Sequence, residues 1–127
     1  MHWQDIALVV AGLIGGGVAV VHGVLTQRLM VEPFARLAQA DARISAPIRR
    51  IVPPLLHLST VFWFLGGIAL IAAALWFGPA VRVATCIFVG ALYLYGAFFN
   101  LWATRGRHPG WALYAVTLGL IAFGAGG

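Results

Sequence analysis

The chain has 127 residues, enough for one domain, and is 62% hydrophobic and 9% charged with a formal charge of +5. Soluble globular domains carry about 25% charged residues, and a small one needs that polarity to cover its core, so an ordinary water-soluble globule is excluded. All eight basic residues are arginines lying between long apolar runs, a placement that speaks for membrane topology and anionic headgroups and against a nucleic-acid partner.

The N-terminal stretch Met1-His2-Trp3-Gln4-Asp5 lacks a basic n-region, and no A-x-A site follows the apolar run. The first span, residues 6–27, is therefore expected to stay as an anchor rather than be cleaved as a leader. It contains no charge, and roughly 20 such residues cross a hydrocarbon core of about 30 Å. Gly15-Gly16-Gly17 has no strand before it and no Lys-Ser or Lys-Thr after it, so it is not a phosphate loop. Gly12 and Gly16 instead have the G-x-x-x-G spacing of a helix-packing face.

Residues 28–52 form a long polar connector. Pro33 is suited to open a short helix with Glu32 at its positive end, and Pro47 to close it. Phe34, Leu37, Ile44 and Ile48 recur at roughly helical spacing between polar residues, which predicts an interfacial amphipathic helix. The second span, residues 54–77, is bounded by Pro53-Pro54 and Gly78-Pro79. The third covers residues 81–104 and contains the single Cys86, expected to act as a small apolar residue. The fourth covers residues 109–126. Short connections at 78–79 and 105–110 require antiparallel neighbours, so the expected fold is all-α, an integral membrane four-helix bundle in up-down-up-down order.

Arg28, Arg36, Arg43, Arg49 and Arg50 lie in the first connector, and Arg105 and Arg107 in the third. The opposite side has only Arg82. The positive-inside rule then places both termini in the periplasm and the 28–52 loop in the cytoplasm, with the chain in the bacterial inner membrane. Trp3, Trp76, Trp102 and Trp111 fall at span ends, as an aromatic belt requires, while Trp63 lies deeper.

This topology brings polar side chains to one depth. His22 is near the end of span one, His57 near the start of span two and Asn100 near the end of span three; Glu32 and His108 lie in the adjoining loops. Thr26 shares the His22 face, Thr60 and Gly67 the His57 face, and Gly96 the Asn100 face. Gly12, Gly16, Gly67 and Gly96 mark helix-packing positions, and small residues on a face favour close contact. Ionisable groups inside a span point to function, although an Asn can also tie two helices together for about 1 kcal/mol.

His22, His57, Glu32 and His108 are the candidate ligands for a divalent metal. His22 and His57 are also the candidate axial ligands for haem b. No H-E-x-x-H or C-x-x-C-H motif accompanies them. Ser59 has no His–Asp relay, and Asp5, Glu32 and Asp41 all lie outside the spans, so no catalytic residue and no proton exchanger is expected. The leading functional expectation is an interaction or accessory subunit that meets a membrane partner or its own copies through Gly-rich faces. A metal or haem binder comes second and a small-solute transporter third.

The segments His57-Leu58-Ser59-Thr60-Val61-Phe62-Trp63 and Arg105-Gly106-Arg107-His108-Pro109-Gly110-Trp111 resemble parts of small four-span bacterial membrane proteins. That resemblance implies the fold and no activity. The run from His57 to Gly66-Gly67 is also similar to one span of copper-resistance protein D, which has more spans, and it carries no ligand across.

Overall fold

In the computed structural model, which describes residues 1–127, the backbone is helical from Trp3 to Ala125 apart from short turns. Helix α1 (Trp3–Thr26) starts from an extended His2, whose N–H donates to the Asp5 carboxylate at 2.9 Å. One wide π turn, Gln27–Val31, then leads without a break into α2 (Glu32–Ala40). Pro33 explains the turn: proline has no N–H and its ring clashes with the carbonyl four residues back. The wider turn accommodates it, with the Glu32 N–H reaching the Gln27 carbonyl five residues back.

The chain leaves the helix at Asp41, whose carboxylate accepts the Arg43 N–H at 3.0 Å and pairs with the Arg43 guanidinium at 2.9 Å. That pairing holds the Asp41 carboxyl below the usual carboxylate range. Helix α3 (Ala46–Leu56) follows, and a one-residue interruption at His57 separates it from α4 (Leu58–Trp76).

Two expectations for the connector are corrected here. There is no single helix from Pro33 to Pro47; α2 prolongs α1 and a second helix begins at Ala46. Pro47 lies in the first turn of α3, where its missing N–H has no partner to lose. Pro53-Pro54 do not precede the span helix but lie inside α3, and the interruption comes after them at His57.

Helix α5 (Pro79–Thr104) begins after Gly78, and α6 (Gly110–Ala125) has 16 residues against 26 in α5. Between them Arg105 and Gly106 take left-handed conformations, φ 52° and 78°. They reverse the chain while the Gly106 N–H reaches back to the Leu101 carbonyl at 3.1 Å.

The four long helices form a closed ring in which α1 packs on α4 and α6, and α5 packs on the same two. Each neighbour runs antiparallel: Gly12 meets Gly67, Gly96 meets Trp63, and Gly124 meets Leu8. The helices Trp3–Ala40, Ala46–Trp76 and Pro79–Thr104 are long and apolar enough to cross a membrane; α6 is apolar but shorter.

Close packing of α1 on α4 depends on two glycines. A Cβ on Gly67 would lie 2.6 Å from the Gly12 carbonyl oxygen and 3.0 Å from the Gly16 nitrogen, and one on Gly12 would lie 2.5 Å from the Gly67 carbonyl. These obstacles are backbone and cannot rotate away. Gly96 makes room for the Trp63 ring and Gly15 for the Tyr93 ring. Leu8, Leu70 and Tyr93 are fully buried at the centre.

At the end of the ring that holds Met1 and Gly127, Arg82 turns inward, its side chain only 9% exposed. It pairs with Asp5 of α1 and donates to the Ala74 carbonyl of α4 and the Gly124 carbonyl of α6, each at 3.4 Å. One guanidinium therefore links all four helices. Its fork of five donors suits this task better than a lysine would.

Two stability predictions follow from these contacts, both read by thermal unfolding of the purified chain in mild detergent. Gly67→Ala should destabilise by about 1–3 kcal/mol through overpacking, whereas Gly17→Ala, which meets nothing within 4 Å, should be neutral or gain about 0.5–1 kcal/mol. Asp5→Asn should lower the unfolding midpoint by leaving Arg82 buried without its counter-charge, and Asp5→Leu with Arg82→Met should restore most of the loss.

Candidate functional site

At the opposite end of the ring α6 starts lower than α5 ends. Its position is fixed by caps from neighbouring residues. The Asn100 side-chain carbonyl accepts the Trp111 N–H at 3.2 Å, and His108 Nδ1 accepts the Gly110 N–H at 3.0 Å. These satisfy two of the otherwise unpaired donors at a helix start. Thr104 donates to the Asn100 carbonyl at 2.7 Å. Because α6 begins about level with Asn100, it does not cover the last turn of α5 or the end of α1.

The uncovered seam is a cavity of about 770 Å³ bounded by α1, α4, α5 and the start of α6. Leu13, Val21, Leu25, Phe99 and Leu113 make much of its wall, and no Asp, Glu, Arg or Lys lines it. The polar lining comes in two groups. On the α1–α4 side, His22 Nε2 lies 3.0 Å from the Ser59 hydroxyl and 3.3 Å from the Thr26 hydroxyl. On the α5–α6 side are Asn100, Thr104 and His108.

Aromatic rings set the depth of the cavity. The Trp63 ring lies 4.6 Å from the His22 ring and 5.0 Å, edge-on, from Tyr114, which stacks on Tyr93 at 4.8 Å. Trp63 is held by an Nε1–H bond to the Leu92 carbonyl at 3.2 Å, and the Tyr93 hydroxyl donates to the Trp63 carbonyl at 2.9 Å. Tyr114 lines the cavity, is 2% exposed, and its hydroxyl has no hydrogen-bond partner in the chain.

His57 does not join this group. Its Nε2 lies 2.9 Å from the Gln27 side-chain oxygen, in a separate groove of about 430 Å³ on the other side of the α1–α4 contact, together with Glu32 and Thr60. The reason is angular. Residues two apart on a helix face nearly opposite directions at 3.6 residues per turn, so with Ser59 turned to His22, His57 points away. Thr60, three residues on, follows His57, and its hydroxyl is buried without a partner.

The expected cluster is thus divided: His22 with Thr26, Asn100 with His108, and His57 with Glu32 and Thr60. No group of three or more His, Cys, Asp or Glu side chains is placed to share a metal ion. His22 and His57, opening into different cavities, do not fit the two faces of one haem.

Sequence reasoning set Ser59 aside because it sought a catalytic relay. Ser59 and Trp63 are four apart and share a face, a signal that could have found them. Tyr114 had no such signal, since α6 is apolar all round. Gly12, Gly16 and Gly67 lie at the α1–α4 contact and Gly96 under Trp63, all within the chain.

Asn100→Ala should cost about 1 kcal/mol of stability through loss of the α6 cap, read from the unfolding midpoint in detergent. His22→Ala, whose partners are both free hydroxyls that can turn to backbone carbonyls, should cost less than Asn100→Ala.

No protein-family model, curated protein or solved structure matches the chain, so its function is read from the geometry of the cavity.

Proposed function

We propose that the chain is an integral membrane four-helix bundle that binds a lipophilic small molecule between α1, α5 and the start of α6. The cavity carries this reading. Its volume of about 770 Å³ falls within the roughly 300–1,000 Å³ of small-molecule sites. A mostly apolar wall with a few converging polar groups is the usual make-up of such sites. In a membrane, an apolar wall takes up molecules that are already dissolved in lipid.

The outer surface supports the membrane setting. Ile87, Phe88, Leu94 and Val116 are 64%, 73%, 59% and 56% exposed, and exposed apolar area on that scale is not sustained in water. Four crossings put the arginine-bearing connectors on the cytoplasmic side of a bacterial inner membrane, with Met1 and Gly127 on the other. The Gly12–Gly67 and Gly96–Trp63 contacts use glycines that a partner would otherwise meet, so a partner-binding role through those faces has less support than the cavity.

Two experiments test the proposal. In intact cells, an impermeant maleimide should label Gly78→Cys and leave Ser45→Cys unlabelled until the cells are opened; the reverse pattern would invert the topology. In isolated membranes, a long-chain alcohol bearing a diazirine should, on irradiation, label peptides from the ends of α1 and α5. Gly17 lines the cavity and has nothing within 4 Å of its Cβ position, so Gly17→Phe should fill the space and abolish that labelling. Equal labelling of Gly17→Phe would remove the cavity from consideration.

A further inference from the structure

The lining also restricts the polar part of the ligand, an inference that rests on the cavity being a ligand site. No carboxylate, guanidinium or ammonium faces the space, and a charged headgroup buried there would lack a counter-charge. The polar part is therefore neutral.

What the walls offer is mainly hydrogen-bond donors. His108 Nδ1 accepts the Gly110 N–H, so a neutral His108 carries its proton on Nε2. Tyr114 also lines the space, but its hydroxyl oxygen is fully buried and out of a ligand's reach. His22 with Ser59 forms a second polar group on the opposite wall. The Trp63 and Phe99 rings line the space between these walls, and aromatic faces favour a flat ring.

We propose that the cavity takes a neutral, flat ring bearing carbonyl acceptors and an apolar tail, the chemistry of a quinone. The ring sits between the His22–Ser59 wall and His108, a carbonyl accepts from His108 Nε2–H, and the tail leaves past Leu13 and Gly17 into lipid. Binding alone is assigned, with no electron transfer.

The test uses the full chain in phosphatidylcholine nanodiscs with decylubiquinone as probe. Decylubiquinone should displace the diazirine alcohol from the ends of α1 and α5 and quench tryptophan fluorescence to a saturating limit. Trp63→Phe should remove most of that quenching. Tyr114→Phe removes an unpaired hydroxyl that the cavity does not expose, so thermal stability should be unchanged or higher and decylubiquinone binding unchanged. His108→Phe should weaken decylubiquinone binding by about tenfold, the effect of one lost buried hydrogen bond.

If the alcohol labels the cavity but decylubiquinone does not displace it, the ring assignment is wrong and the ligand-site reading stands. Undiminished binding by His108→Phe would also overturn the assignment. If the alcohol fails to label the cavity, the ligand-site reading itself falls and takes the inference with it.

Discussion

The placement of α6 governs this structure. It is ten residues shorter than α5, 16 against 26, so at about 1.5 Å per residue it falls some 15 Å short of its neighbour. Contacts at each end decide how that shortfall is divided. At the end near Met1, Arg82 holds Asp5 and the Gly124 carbonyl and so draws the last turn of α6 against α1. At the other end, Asn100 and His108 cap the first turn below the level where α5 ends. Only the last turn of α5, beyond Asn100, rises past α6 at this end, and there the seam becomes the cavity.

The rest of the ring is built so that this gap stays open. Gly12 and Gly67 bring α1 and α4 into backbone contact, and Gly96 seats Trp63 against α5. Such close contacts and a few hydrogen bonds join the helices. Trp63, Tyr114 and Tyr93 then form a stack of rings that fills the centre and gives the cavity a firm floor. Tyr114 belongs to both the packed core and the cavity lining.

The proline positions show how far local rules reach. Pro33, Pro47, Pro53 and Pro54 all mark irregularities in the helix, as their chemistry demands. Their consequences differ with context: a π turn before Pro33, a helix start at Ala46-Pro47, and an interruption at His57 beyond Pro53-Pro54. That last break lies between the connector helix and α4, next to the two residues, His57 and Ser59, that face different cavities.

Hydrophobic run length and breaker residues in the sequence were enough to specify helices, their approximate ends and their antiparallel order, because these depend on local chemistry and short connections. They also placed His22, Asn100 and His108 near one end of the bundle. Depth along a helix follows from counting residues, but the direction in which a side chain points also depends on how each helix is rotated against its neighbours. Tertiary packing decided that rotation: it joined His22 to Ser59 instead of His57, turned Arg82 inward to Asp5, and spent the glycines on contacts within the chain. The cavity was equally invisible in the sequence, since an unfilled volume depends on how the helices and their side chains pack together.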